Sequence, residues 1–187
     1  MSITLSAMTR YIALLRGINM AGHNPVKMDK LRACFESMNF KNVRTYIQSG
    51  NVIFESKYSQ ENQIAKKIVR GLTKSTGLEI AVTLRTPDEL IEIVEKGPFK
   101  NLKLKSGSMP YVTFIANDLK HRPKLPLITP KEDLEILTYD KRNFFCVGHL
   151  VGNRRGFPNT VIEKEFKVPA TTRNWNTVRK LADIAGR

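Results

Sequence analysis

The hydrophobic and polar positions fall into alternating helical and strand periods. Tyr11 to Leu15 (YIALL) is apolar at every position, which predicts a short strand covered on both faces. Met28, Leu31, Phe35 and Met38 recur at helical spacing and predict a helix over 27–38 that stops near Asn39. Val43 to Glu55 (VRTYIQSGNVIFE) reads as a hairpin. Val43, Thr45 and Ile47 alternate with Arg44, Tyr46 and Gln48 in its first arm. Its second arm, Val52-Ile53-Phe54, is apolar on both faces, and Ser49-Gly50 supplies a two-residue turn. Ile64, Ala65, Ile68, Val69 and Leu72 predict a second helix over 61–73, broken by Gly77. Ile80, Val82 and Leu84 alternate as a fourth strand.

The resulting order, β-α-β-β-α-β, is the ferredoxin-like arrangement. That arrangement places the first and third strands centrally, and these are the two that are apolar on both faces. The second half reads differently. Thr86-Pro87-Asp88-Glu89 carries a helix-start signature, and the helix it opens buries Leu90, Ile91 and Val94 before Gly97-Pro98. A Lys-rich loop over 100–108 and a strand over 111–115 follow, then an irregular stretch over 118–130. A hairpin over 134–148 turns at 140–143, and a short helix covers 159–166. A final helix spans 172–185, capped by Thr172 or Asn174. The expected fold is α+β: a ferredoxin-like half over 1–86 packed on a second, smaller α+β subdomain over 87–187.

Composition adds a strong basic bias. Among 187 residues, 31 Lys and Arg face 17 Asp and Glu, giving a net charge of +14 and a pI near 10.0. Such a balance suits nucleic acid, an anionic surface or another polyanion. The charge is spread: residues 1–86 carry 13 basic against 5 acidic side chains, and residues 87–187 carry 18 against 12. There is no basic tail. No segment approaches the roughly 18 apolar residues that span a bilayer, and no membrane partner is expected. Cys34 and Cys146 lack metal spacing and read as reduced core thiols of a cytoplasmic protein.

Polar residues cluster in two places. In a ferredoxin-like topology the loop over 16–25 lies beside the hairpin turn over 48–51, with the start of the first helix at the same edge. Arg16, Gly17, Asn19, Lys27, Arg44, Tyr46, Gln48, Ser49, Gly50 and Asn51 would then offer cations, amides and hydroxyls to a phosphate or carboxylate. The competing reading is that Asn19 and Asn51 satisfy their own loops and the arginines are solvated. Arg173, Asn174 and Trp175 sit in a second patch, which reads equally as a capped helix with a core Trp.

Other chemistry finds little support. An RNA-recognition sheet needs aromatics where this chain has Ser49 and Asn51. There is no phosphate-binding glycine loop, nucleophile elbow or metal spacing. Of the three histidines only His23 falls near the first patch, where it would serve an enzyme as a proton-transfer group. The expected function is binding of an anionic ligand, either nucleic acid or a phosphorylated small molecule. An enzyme acting on a small anionic substrate and a protein-interaction domain are the alternatives, and no cofactor is identified.

Three segments together carry a family resemblance: YIALLRGINMAGHNPVKMDKL, NVRTYIQSGNVIFES and TTRNWNTVRKLADIA. They resemble the bacterial domain-of-unknown-function 1697 family. The resemblance implies a compact α+β protein of two packed subdomains, the first ferredoxin-like, and no reaction. Its polar motifs match Arg16-Gly17-Ile18-Asn19, Tyr46 to Asn51 and Thr172 to Trp175, while Met20-Ala21 stands where the family more often has Val-Gly.

Overall fold

A computed structural model describes residues 8–19 and 25–187. The chain is α+β and divides into two compact units, the described residues up to Pro87 with Arg187, and Asp88–Gly186. The first unit runs β1 (Thr9–Leu15), α1 (Met28–Ser37), β2 (Lys41–Tyr46), β3 (Asn51–Ser56), α2 (Glu61–Thr76) and β4 (Val82–Arg85). Its sheet has the order β2-β3-β1-β4, with each neighbouring pair antiparallel. The element order and the central places of β1 and β3 agree with the expected arrangement.

Hydrophobic periodicity explains the packing. Leu31 and Phe35 from α1 and Ile64, Ile68 and Leu72 from α2 join alternate residues of β1, Tyr11, Ala13 and Leu15, in one core. Phe54 lies within 4.5–5.9 Å of the rings of Tyr11, Phe35 and Phe40. Gly77 ends α2 in the left-handed conformation that its missing side chain permits.

The hairpin departs from expectation. The first arm stops at Tyr46, and the turn takes four residues, Ile47 to Gly50, in place of two. Ile47 leaves the alternation, with φ of +48° and 47% of its surface exposed. A register shift between Lys41 and Arg44 interrupts the pairing at the other end of the arm.

The second unit runs through α3 (Pro87–Lys96), β5 (Met109–Ile115), β6 (Leu127–Ile128), β7 (Leu134–Asp140), β8 (Asn143–Gly148), β9 (Leu150–Val151), β10 (Arg154–Arg155), α4 (Pro158–Phe166), β11 (Ala170–Asn174) and α5 (Trp175–Ala185). Its larger sheet has the order β11-β5-β8-β7-β6, and β9 and β10 form a separate ribbon. Ile162 of α4 packs with Ile115, Ile136, Phe144 and Cys146 of this sheet. In α3 the buried pair is Leu90 and Ile93, whereas Ile91 and Val94 are only half-buried.

The largest correction is at 170–174. Residues 172–174, expected to begin the last helix, instead end β11, which pairs along its whole length with β5. The hydroxyls of Thr172 and its cross-strand partner Thr113 lie 2.8 Å apart. The helix proper begins one strand later, at Trp175, with Asn174 as its cap: Asn174 Oδ1 accepts from the Thr177 N–H at 2.8 Å.

Candidate functional site

Two backbone contacts fix the end of β1, one to the hairpin turn and one to the residue before β4. The Leu15 N–H donates to the Gly50 carbonyl at 2.8 Å, and the Arg16 N–H donates to the Ala81 carbonyl at 2.9 Å. Gly50 is buried at φ of +79°, and a β-carbon there would stand 2.7 Å from Ile18 and 2.9 Å from Leu15. Only glycine meets both the conformation and the close approach.

Asn19 then ties the loop together. It holds a left-handed φ of +53°, which asparagine tolerates. Its side-chain amide donates to the Val26 carbonyl at 2.9 Å and the Gln48 carbonyl at 3.0 Å, while its oxygen accepts from the Val26 N–H at 2.7 Å. Asn51 works inside the turn, donating to the Tyr46 carbonyl at 3.0 Å and Ser49 Oγ at 3.1 Å. Both asparagines therefore satisfy their own loops.

Beside this framework lies a cleft of about 530 Å³. Asn19 and Gln48 form one wall; Pro25, Val26, Lys27, Met28 and Lys30 form a second, at the entry to α1. Ser75 and Thr76, at the end of α2, close it. Lys27 and Lys30 are exposed, and no carboxylate among the described residues pairs with them. Lys27 precedes α1 without a side-chain cap, leaving first-turn N–H groups unpaired by that residue. Thr76 is engaged locally, donating to the Leu72 carbonyl at 2.7 Å. Ser75 hydrogen-bonds the buried thiol of Cys34, whose pKa burial pushes above its ordinary value.

Of the residues the sequence pointed to, Asn19, Lys27 and Gln48 line this cleft. Arg16, Gly17, Arg44, Tyr46, Ser49, Gly50 and Asn51 do not, although the last three shape the turn. Lys30 was missed; its signal was its place in the first turn of α1, three residues after Lys27. Ser75 and Thr76 had no local signal, because only the packing of α1 on α2 brings them here. His23 lies outside the described residues.

Arg173, Asn174 and Trp175 belong to the second unit. Arg173 is only 7% exposed, and burial draws its pKa down to about 10, so it stays protonated at neutral pH. Its Nη1 donates to the Thr172 carbonyl at 2.8 Å. Trp175 meets Phe99 edge to face at 5.2 Å, as a residue anchoring α5 would.

The family described as protein of unknown function (DUF1697) matches residues 8–145. The chain belongs to that family. A solved structure of a conserved bacterial protein from Streptococcus pneumoniae is similar to this family member over 97% of this chain and 100% of its own. The TM-score is 0.71 and the identity 22%, a likeness of fold. No curated protein matches this family member.

Among the described residues no helix is long and apolar enough to cross a membrane, and no group of His, Cys, Asp and Glu is placed to hold a metal ion.

Proposed function

We propose that the cleft of the first unit binds a small anionic ligand, with a phosphorylated metabolite as the chemical class. One observation carries the reading: a cleft of about 530 Å³ has Lys27 and Lys30 on the wall that begins α1. A volume of this order suits a small molecule rather than a polymer. Two cations and an uncapped helix start favour negative charge there. Gln48 adds a side-chain amide, and Asn19, whose own amide is engaged with Val26 and the Gln48 backbone, fixes the wall they share.

Ile47 supports the same location. A β-branched residue in the left-handed region is strained, and its exposure means that no packing requires it. Strain kept at a turn beside a cleft fits a contact made when the ligand is present. The free thiols of Cys34 and Cys146 support a reducing, cytoplasmic setting.

Calorimetry with inorganic phosphate and a nucleoside monophosphate tests this. The reading expects saturable binding, weakened roughly tenfold by Lys27→Gln with Lys30→Gln. Absence of saturable binding, or equal binding by the double variant, overturns it. If both probes fail and a nucleic acid binds with a steep salt dependence that the double variant reduces, the ligand is nucleic acid instead.

A further inference from the structure

We propose a second binding surface, in the second unit and independent of the cleft: a basic and aliphatic edge that docks on an anionic lipid surface. Two segments build it, joined by a contact between residues 48 positions apart in sequence. One is the loop Asn101-Leu102-Lys103-Leu104-Lys105 that leads to Gly107. The other is the β9–β10 ribbon with its Gly152-Asn153 tip.

The ribbon is seated on the loop by one of its faces. Leu150 and Arg155 are cross-strand partners. Leu150 packs over Gly107, where a β-carbon would stand 3.1 Å from its side chain. Arg155 Nε donates to the Gly107 carbonyl at 2.8 Å. Side chains alternate along a strand, so the other partner pair, Val151 and Arg154, lies on the opposite face. Both are exposed, Val151 by 48%. Leu102, Leu104 and Phe157 add exposed apolar surface, and Lys103 and Lys105 add charge.

Residues 100–108 and 149–157 contain no carboxylate. Of the carboxylates at the ribbon's base, Asp133 accepts from Thr129 Oγ1 at 2.6 Å, and Glu135 lies 3.7 Å from the His149 ring. Exposed apolar side chains on two adjoining segments mark an interaction surface. Their chemistry chooses the occupant. Single-stranded nucleic acid calls for an exposed aromatic platform, but these side chains are aliphatic apart from Phe157, which rests edge-on against Tyr111 at 5.5 Å. Aliphatic groups that leave water, flanked by cations facing anionic headgroups, meet the two requirements of an interfacial site. No membrane partner is expected from the sequence, which has no spanning segment. This signal is split between two loops and joined only by the fold.

Co-sedimentation of the full chain with phosphatidylcholine vesicles, with and without phosphatidylglycerol, tests the proposal. Binding is expected only with phosphatidylglycerol, and it should weaken as salt rises. Lys105→Gln with Arg154→Gln and, separately, Leu104→Ser with Val151→Ser should each lower partitioning roughly tenfold while circular dichroism is unchanged. None of these four side chains has a packing role in the seat on Gly107. Equal binding to neutral vesicles, or wild-type binding by both variants, overturns it. So does tight binding of duplex DNA that the charge variant abolishes while vesicles are ignored. The Lys27 and Lys30 variants should bind vesicles normally, which separates this surface from the cleft.

Discussion

The side-chain amide of Asn19 donates to the backbone carbonyl of Gln48 at 3.0 Å and so joins the loop after β1 to the hairpin turn. The two residues lie 29 positions apart and form one wall of the cleft. Asn19→Ala removes this bond and both bonds to Val26, and alanine tolerates the left-handed φ less well than asparagine. Stability should fall by about 2–3 kcal/mol, read from urea denaturation midpoints. Anion binding should fall further than the stability loss explains, because the wall itself is displaced. A variant with wild-type stability would overturn the structural role.

Gly50→Ala meets two obstacles together: the positive φ and the approach of Ile18 at 2.7 Å and Leu15 at 2.9 Å. Thermal unfolding should show a loss of about 2–4 kcal/mol. Gly17→Ala provides the control. It shares a positive φ but has no atom within 4 Å of its β-carbon, so its cost should be about 1 kcal/mol.

Ile47→Asn should act in the opposite direction. Asparagine tolerates φ near +48° better than a β-branched residue, and little apolar surface is lost at an exposed site. A gain of roughly 0.5–1 kcal/mol in unfolding free energy is expected. Weaker ligand binding in the same variant would tie the strain to function. Lower stability would remove the strain argument.

Alkaline pH should destabilise the protein. Burial raises the folded-state pKa of Cys146, with Cys34 shifted the same way. The unfolded thiols therefore lose protons first. The contribution is fully present below an unfolded thiol pKa of about 8.5 and declines as pH rises above it. Arg173 runs the other way, since its folded pKa is lowered, but its effect begins only near pH 10. Urea midpoints across pH 7–10 should fall, and less steeply in Cys146→Ala. A thiol reagent should leave Cys146 unmodified until the chain unfolds.

The elements with a strong period were legible before the structure. Leu31 and Phe35 in α1, and Ile64, Ile68 and Leu72 in α2, repeat at helical spacing because those positions share the buried face. The all-apolar run of Tyr11 to Leu15 marked a central strand for the same reason. Thr171-Thr172-Arg173 misled, since hydroxyl residues before an amphipathic stretch read as caps. Pairing with β5 overrode that local preference, as tertiary context does when a strand edge is open.

The sequence by itself determined the buried faces of α1 and α2 and the central strand β1, the order of helices and strands in the first unit, and the polar character of the loop and turn. Periodicity, chain connectivity and local turn chemistry suffice for those. Only the tertiary structure decided which polar residues meet. It turned Asn51 into its own hairpin and Asn19 across to Gln48, and it left Lys27 and Lys30 at a cleft closed by Ser75 and Thr76. It also set Leu150 and Arg155 on Gly107, so that Val151 and Arg154 occupy the other face. These outcomes depend on hydrogen bonds and packing between residues distant in the chain, and no local pattern encodes them.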